Sequence, residues 1–327
     1  MSLPTGKRPV WWKVAAYTAL PLGLMAIFAW QIIKYWPKIE PYLRKMHIGL
    51  VVVALLLFLL CSLLDTHIWN RTLSWFTRPL PFIQAAPIYI WSSLARYVPG
   101  KVFSLLLRVA LAAQVDRAAI PVLASSTVEL ALRTASASLL FLIALLGYHI
   151  PGKQGVAILV FALLVVPLVL VCAHPRVMMP VLNWGLRKIK QPTINRPLRY
   201  REVLGTFLLL LARWLVYGLA FFALACSVHP AAREHLLVLV GIAAGSWAVG
   251  FAFLMPGGLG IAEWVMNWGL SQILSFSIGL ALMLPALLRL TTLVGEGLWA
   301  LVCIPLWMSW RQQKPVAPRT EVESSTA

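Results

Sequence analysis

Long apolar runs separated by short basic stretches dominate the pattern of this chain. A helix needs roughly 20 apolar residues to cross the hydrocarbon core of a bilayer, and six of the runs have about that length. The pattern therefore predicts an all-α integral membrane protein with about six spans. The apolar runs are 14–33, 48–69, 84–115, 121–147, 155–173, 203–228, 236–275 and 276–308.

Two of these runs are too long for one span and are interrupted by helix-breaking residues. Run 84–115 contains Pro99-Gly100, whereas run 236–275 contains Pro256-Gly257-Gly258, followed by Gly260. Proline lacks the backbone N–H and clashes with the preceding turn, and glycine tolerates positive φ. A bilayer tolerates such a break only where protein or water satisfies the freed backbone groups. We therefore expect two re-entrant helical hairpins, or two pairs of short tilted spans.

The order of the runs predicts two inverted repeats, 48–147 and 203–308. Each consists of a span, a broken hairpin and a second span. The prolines of the two breaks, Pro99 and Pro256, are 157 positions apart, and Arg133 and Arg289 in the following spans are 156 apart. Counting spans makes the repeats begin on opposite sides of the membrane, as in many transporters with a midplane site.

Composition agrees with a membrane protein. Hydrophobic residues make up 61% of the 327 residues and charged residues 12%, against about 25% charged in a typical soluble domain. The net charge of +18 is typical of nucleic-acid-binding proteins, but the basic residues lie in loops between apolar runs, as the positive-inside rule requires. We therefore expect no nucleic-acid partner.

Loop charges also predict the orientation. The loop 174–202 is strongly basic and the tail carries three basic residues, so both are expected in the cytoplasm. This gives a cytoplasmic N-terminus (1–13), one membrane domain (14–310) and a disordered cytoplasmic tail (311–327). The basic loop 34–47 is an exception, because the span count places it on the non-cytoplasmic side of the membrane. The first run lacks a small-residue cleavage site, so we interpret it as a retained span and not a signal peptide.

Charged side chains within the apolar runs are the strongest functional signal, because burying them in a membrane is costly. If each acid pairs with one base, three cations remain, and a buried cation is costly unless an anion reaches it. We therefore expect the bases to bind a lipid phosphate and the acids to act in pairing or coupling. Asp65 and His67 lie near a predicted span end and are assigned to the interface. The bases are Arg96, Lys101, Arg108, Arg133, Arg213 and Arg289, and the acids are Glu129, Glu263 and Glu296.

Local spacing supports these roles but leaves alternatives open. Lys101 begins the half-helix after the first break, where the helix dipole favours an anion, although it could instead extend towards the interface, as could Arg96. Glu129 and Arg133 are spaced i, i+4, which suits either a site or a purely structural pair. Glu263 falls in the first turn of the second half-helix and is equally suited to capping and to ligand binding.

Nothing in the sequence indicates a metal, a cofactor or a catalytic residue. The four cysteines each lie alone in an apolar stretch, without a CxxC motif or a Cys/His cluster, and are expected to be small buried side chains. The nucleotide-binding pattern GxxxxGK[ST] is also absent.

The residues around both breaks resemble a known family. Arg-Tyr-Val-Pro-Gly-Lys at 96–101 and Pro-Gly-Gly-Leu-Gly-Ile-Ala-Glu at 256–263 look like the signature of the transmembrane region of lysylphosphatidylglycerol synthases, a flippase-like family of bacterial and archaeal inner-membrane proteins. The resemblance covers residues 10 to 310. Arg108, Glu129, Arg213 and Arg289 match more loosely. The chain resembles a stand-alone member without the synthase domain, which implies translocation of a lipid without the synthetic chemistry.

These observations together predict a lipid flippase of the bacterial inner membrane for a phosphate-bearing lipid, not an enzyme. One alternative is an enzyme acting on a lipid phosphate, since Lys101 and Arg108 superficially resemble a lipid phosphatase motif. Val109 replaces the usual proline of that motif, and no histidine nucleophile follows. Another alternative is a non-transporting scaffold for a lipid- or glycan-modifying enzyme, which would then be a partner.

Overall fold

The structure, a computed structural model, is predominantly helical and contains no strand in its described residues. These are residues 30, 33–97, 102–146, 160, 167, 171, 174–188, 190, 191, 193, 194, 198–252 and 260–313. The helices are α1 (Trp36–Arg44), α2 (Ile48–Leu73), α3 (Phe82–Leu94), α4 (Val102–Ala113), α5 (Ala119–Leu146), α6 (Pro175–Lys188), α7 (Tyr200–Val228), α8 (Leu236–Ala252), α9 (Ile261–Trp268) and α10 (Ile278–Gln313). A 3₁₀ turn (Ala95–Tyr97) follows α3, another (Pro230–His235) precedes α8, and a π-helical turn (Gly269–Ile273) follows α9.

Among the described residues, five helical segments are long and apolar enough to cross a membrane. They are Ile48–Leu73, Ala119–Leu146, Tyr200–Val228, Pro230–Phe251 and Ile278–Gln312. The expectation of an all-α protein with several apolar spans is therefore confirmed. The predicted spans 14–33 and 155–173 lie almost wholly outside the described residues.

The centre of the bundle is an antiparallel pair formed by α2 and α7. At one end, called here the upper end, the N–H of His47 donates to the carbonyl of Ser227 at 2.8 Å. At the lower end, Nε of Arg71 donates to Oγ1 of Thr206 at 3.0 Å. The two helices therefore run antiparallel, and each begins beside the end of the other.

Helices α3 and α4 form a hairpin that begins and ends at the lower end. Just before α3, the side chain of Asn70 donates to the carbonyl of Leu80 at 2.7 Å and accepts from its N–H at 2.8 Å. Just after α4, Gln114 accepts from Arg311, in the last turn of α10, at 2.8 Å. Because α10 starts at the upper end, where Ser277 contacts Tyr42, Arg311 marks the lower end.

Helices α8 and α9 form the corresponding hairpin at the upper end. The ring of Phe276, which follows α9, packs against His229 and His235 just before α8, with ring centroids 5.2 and 6.1 Å apart. Each hairpin thus returns to the end from which it entered, which fits both expected geometries, re-entrant hairpins and pairs of short tilted spans. Pro99, Gly100, Lys101, Pro256, Gly257 and Gly258 lie outside the described residues.

Helix packing follows the same pattern in both halves of the chain. Helix α3 packs on α10, and its counterpart α8 packs on α5. Similarly, α2 packs on α10, whereas α7 packs on α5, and α2 and α7 pack on each other. Helices α8 and α5 lie close together at Gly241, where an added Cβ would lie 2.1 Å from the Cβ of Ala144. Such small residues allow membrane helices to approach.

Two short helices lie in segments that the sequence predicts to be loops. Helix α1 lies within 34–47, and α6 lies within 174–202. Helix α6 has Pro175 at its start, a favoured position, and buries Met178 against the beginning of α7. The hydrophobic pattern missed both because they are shorter and more polar than a span. Helix α10 ends at Gln313, so the first residues of the predicted tail are helical, and 314–327 lie outside the described residues.

Candidate functional site

A cavity of about 410 Å³ lies between the two hairpins and is lined by most of the charged residues that the sequence singled out. Lys101 lies outside the described residues, whereas all the others contribute to the wall. They are Arg96, Arg108, Glu129, Arg133, Arg213, Glu263, Arg289 and Glu296. Residues as far apart as 96 and 296 therefore share one site.

Five of the lining residues form a continuous chain of ion pairs, called here the central chain. Nη1 of Arg108 lies 3.4 Å from Oε2 of Glu129, and Oε1 of Glu129 lies 2.6 Å from Nη2 of Arg133. The same nitrogen of Arg133 lies 2.7 Å from Oδ1 of Asp65. Arg213 then binds Asp65 through two hydrogen bonds, Nε to Oδ1 at 2.9 Å and Nη2 to Oδ2 at 3.1 Å. The central chain connects α4, α5, α2 and α7.

The structure corrects the assignment of Asp65 to the membrane interface. Helix α2 continues to Leu73, beyond the predicted end at residue 69, which places Asp65 within the helix. Its carboxylate is buried and shared between Arg133 and Arg213. His67, two positions later, is exposed. The only sequence signal was the presence of a carboxylate at the edge of an apolar run, and its partners are 68 and 148 positions away.

Neutral groups complete the central chain. The hydroxyl of Tyr89 donates to Oε1 of Glu129 at 3.2 Å and accepts from Arg133 at 3.0 Å. Nε of Arg108 donates to the hydroxyl of Ser92 at 3.0 Å, and Nη1 lies 3.2 Å from that of Ser126. Buried polar groups need such partners, because an unsatisfied one costs free energy.

Aromatic rings cover the guanidinium groups at both ends of the central chain. The guanidinium of Arg108 lies 4.3 Å from the ring centroid of Tyr89. That of Arg213 lies 4.4 Å from Trp214 and 4.8 Å from Tyr217. Cation–π contacts of this kind stabilise a desolvated cation, so the terminal arginines are held rigidly while keeping their positive charge.

The central chain carries one more positive than negative charge. Its three arginines face two carboxylates, and all five residues are buried. Arg213 is 7% exposed, and its Nη1 is a buried donor without a hydrogen-bond partner in the described structure. The expected surplus of three cations falls to two when Asp65 is counted with the acids, and Lys101, one of the counted bases, lies outside the described residues. A surplus of one remains within the central chain.

The opposite wall of the cavity contains two separate ion pairs. Nε of Arg289 donates to Oε1 of Glu263 at 2.6 Å, and Arg96 binds Glu296. These arginine side chains are 25% and 38% exposed, so they lie nearer the opening than the central chain. Among the described residues of this wall, the two bases face two acids, so these four side chains sum to zero charge.

Glu263 also caps the helix that carries it. The N–H of Gly260 donates to Oε2 of Glu263 at 2.7 Å, immediately before α9. Gly260 has a φ of 83°, a conformation that glycine adopts without the strain that other residues suffer. The capping role that the sequence offered for Glu263 is therefore confirmed for one carboxylate oxygen, while the other oxygen binds Arg289 in the cavity wall, and its role as a ligand stays a prediction.

The remaining lining groups are hydroxyls and apolar side chains. Cys61, Cys226 and Cys303 are free and buried, as expected, and Cys172 lies outside the described residues. The described part of the chain contains no cluster of three His, Cys, Asp or Glu side chains that could hold a metal ion. Among the described lining groups, the guanidinium groups are the ones suited to binding an anion. Comparisons with protein-family models, curated proteins and solved structures found no match to this chain.

Proposed function

We propose that this protein is a lipid transporter of the bacterial inner membrane, which moves a lipid with a phosphate-bearing headgroup between the two leaflets. The observation that carries the proposal is the net positive charge of the central chain, buried in the wall of a cavity between two hairpins. A buried surplus charge is costly until a counter-ion arrives. A phosphate headgroup is the anion that a bilayer supplies in quantity.

The cavity suits such a headgroup in size and chemistry. Its volume of about 410 Å³ lies within the range of roughly 300–1,000 Å³ that is usual for small-molecule sites. Guanidinium groups bind phosphate oxygens through charge-assisted hydrogen bonds in a fixed planar geometry. Arg108 and Arg213, at the two ends of the central chain, are the primary phosphate ligands in this proposal.

The two hairpins provide a route to each leaflet. Helices α3 and α4 enter from the lower end and α8 and α9 from the upper end, with matching packing partners in the two halves. This equivalence supports the inverted repeat that the sequence predicts. In transporters built on inverted repeats, movement of one repeat against the other exposes a midplane site to alternate sides. Movement of each hairpin would open the cavity to one leaflet.

The charge distribution supports an orientation with the lower end in the cytoplasm. The described residues place ten arginines and lysines near the lower end and five near the upper end, and cytoplasmic segments carry the excess of such residues. The C-terminus of α10 would then be cytoplasmic. The lower-end residues are Arg71, Arg78, Arg117, Arg176, Arg187, Lys188, Lys190, Arg199, Arg201 and Arg311. Those at the upper end are Lys34, Lys38, Arg44, Lys45 and Arg233.

The resemblance to the transmembrane region of lysylphosphatidylglycerol synthases also supports transport. It includes Arg96 and Glu263 in the cavity wall, together with Pro99, Gly100 and Lys101 in the first break. Because the sequence contains no nucleotide-binding motif, we expect transport to be downhill or ion-coupled, with Glu129, Glu263 and Glu296 as candidate ion carriers.

Lipid movement in proteoliposomes tests the proposal. The wild-type protein is expected to move fluorescent phosphatidylglycerol from the inner to the outer leaflet, measured by quenching with an impermeant reductant. Arg108→Gln should slow this movement about tenfold or more, because a hydrogen bond to a charged group contributes roughly 1.5–3 kcal/mol.

The control is Arg44→Gln, the same substitution at an arginine that pairs with Glu40 on the exposed surface of α1. It should leave lipid movement unchanged. Gel filtration and thermal unfolding establish that each variant is folded. Wild-type rates for folded Arg108→Gln, or no lipid movement by the wild-type protein, would contradict the proposal.

A further inference from the structure

We infer that the cavity selects headgroups that carry a single negative charge, which means a phosphodiester and not a phosphomonoester. The inference rests on the proposed function and specifies its substrate class. It follows from the charge of the central chain and from the unused donor on Arg213, neither of which depends on how the lipid moves.

The charge count of the central chain is the first step. Asp65 is shared by Arg133 and Arg213, and Glu129 is shared by Arg108 and Arg133. Both carboxylates are therefore already bound by protein cations and are not available to attract a cationic group. The two separate pairs across the cavity are neutral. One negative charge brought to the central chain makes the described wall of the cavity neutral.

The second step is the hydrogen-bonding capacity of the chain. Nη2 of Arg133 lies close to three oxygens, from Asp65, Tyr89 and Glu129, so this nitrogen is fully engaged. Nη1 of Arg213, by contrast, is a buried donor with no partner among the described residues, on a side chain that is 93% buried. Such a donor on a charged group is costly to leave unsatisfied, and Arg213 is one of the residues that line the cavity.

The two classes of phosphate differ in charge at neutral pH. A phosphodiester carries one negative charge, whereas a phosphomonoester carries about 1.5 to 2, because its second pKa is near 6. A diester would neutralise the central chain. A monoester would leave up to one buried negative charge without a partner, which a low-dielectric site disfavours.

Three variants change the charge of the central chain in a defined way. Arg213→Gln lowers it from +1 to zero, and Asp65→Asn raises it to +2. The double variant Asp65→Asn/Arg213→Gln returns it to +1 and removes both partners of one ion pair together. Arg44→Gln, on the surface of α1, removes a charge without touching the cavity.

Selectivity is measured by incubating purified protein with equimolar phosphatidylglycerol and phosphatidic acid of identical acyl chains. Native mass spectrometry at pH 7.5 then gives the ratio of the two bound lipids. The wild-type protein and Arg44→Gln should favour phosphatidylglycerol. Arg213→Gln should bind about tenfold less of both lipids, because it loses a charge-assisted contact. Asp65→Asn should reverse the ratio, and the double variant should restore it.

Several results would overturn the inference. These are a wild-type preference for phosphatidic acid, an unchanged ratio in folded Asp65→Asn, or a double variant whose ratio differs from that of the wild type. If Asp65→Asn does not fold, Arg213→Gln and the double variant still decide, because both lack the Arg213 side chain and the double variant, whose central chain again carries one positive charge, should bind more phosphatidylglycerol than Arg213→Gln. If the wild-type protein moves lipid but Asp65→Asn leaves the ratio of the two bound lipids unchanged, the transport proposal stands and the inferred selectivity is wrong.

A parallel arm distinguishes a lipid headgroup from a free phosphate compound. Soluble glycerophosphoglycerol, which has the same diester without acyl chains, is added at increasing concentration. Displacement of phosphatidylglycerol at comparable concentrations would show that the site binds a soluble phosphodiester. Displacement only at concentrations orders of magnitude higher would show that it binds the lipid. In either case, a wild-type preference for the diester supports the inferred selectivity. The absence of that preference contradicts the inferred selectivity.

Discussion

Arg133 occupies the centre of the charge network, because one of its terminal nitrogens contacts oxygens from three different helices. Those oxygens belong to Asp65 on α2, Tyr89 on α3 and Glu129 on its own helix, α5. Its backbone carbonyl also accepts a hydrogen bond from the indole of Trp214 on α7 at 3.2 Å. A single residue thus links the first hairpin to the antiparallel pair in the middle of the bundle.

Replacement of this side chain should therefore be severely destabilising. Arg133→Met keeps much of the volume but leaves Asp65 and Glu129 each with one guanidinium partner instead of two. A hydrogen bond to a charged group contributes roughly 1.5–3 kcal/mol, and the variant loses one to each of two buried carboxylates, about 3–6 kcal/mol together. We expect a loss of that size in the free energy of unfolding, measured by reversible denaturation in mixed micelles.

The matched control is Arg44→Met. Arg44 is 78% exposed in its pair with Glu40, and exposed pairs contribute about 0–1 kcal/mol. Equal losses for the two variants would show that the central chain adds no more to stability than a surface pair does.

The sequence identified the charged residues of the site better than it identified their partners. The cost of burying charge in apolar runs was enough to find Arg108, Arg133 and Arg213. The pair of Glu129 and Arg133 also followed from their i, i+4 spacing. Asp65 was misplaced because a helix boundary was set four residues too early, and contacts across more than 60 residues leave no local pattern.

At the scale of elements, the seam between α8 and α5 limits how the second hairpin can pack. Gly241 faces Ala144, and Gly245 faces the ring of Phe141, with a Cβ at that glycine 2.5 Å from the ring. The two glycines are four positions apart and lie on the same side of α8. Their lack of side chains sets the distance between the hairpin and α5.

Gly241→Ala should loosen this seam. The new Cβ would lie 2.1 Å from that of Ala144, and overpacking of a close contact costs about 1–3 kcal/mol. The compensating change Ala144→Gly should recover most of the loss in a double-mutant cycle measured by thermal unfolding. Gly49→Ala, where nothing lies within 4 Å of the added atom, is the control and should leave stability nearly unchanged. Failure of the compensating change would contradict this account of the seam.

The sequence predicted the helices that are long enough to cross a membrane. It did not predict the short helices. Helices α2, α5, α7 and α10 follow from apolar runs of span length. Helices α1 and α6 are short and bury only a few residues each, such as Ile39 and Met178. Their stability comes from contacts with α10 and α7, so the tertiary structure determines them more than the local sequence does.

At the scale of the whole molecule, the entry of the two hairpins from opposite ends makes a prediction about topology. Pro81 immediately precedes α3 at the lower end, and Glu234 lies in the turn before α8 at the upper end. In a chain without native cysteines, Glu234→Cys should react with an impermeant thiol reagent in intact cells. Pro81→Cys should react only after permeabilisation.

A useful internal reference is Arg311→Cys, since position 311 lies at the same end as Pro81 and is exposed. It should behave like Pro81→Cys. Labelling of Pro81→Cys and Glu234→Cys from the same side would exclude two hairpins that enter from opposite faces.

The sequence could suggest a repeat at this scale, but not how the two halves fit together. The spacing of Pro99 and Pro256 indicates two similar units. Helix α2 lies against α7, and Arg96 reaches Glu296 on α10. Both contacts depend on the shapes of complete helices. Such contacts cannot be derived from hydrophobic periodicity.

The composition of the central chain has a consequence for synthesis and insertion of the protein. Four of its members, Asp65, Arg108, Glu129 and Arg133, lie in the N-terminal half and sum to zero charge. When the ribosome has completed α5, these four can already neutralise one another within the membrane. Arg213 is translated about 80 residues later and joins through Asp65. Within the central chain, the unbalanced charge is therefore added only after the four members that sum to zero have been synthesised.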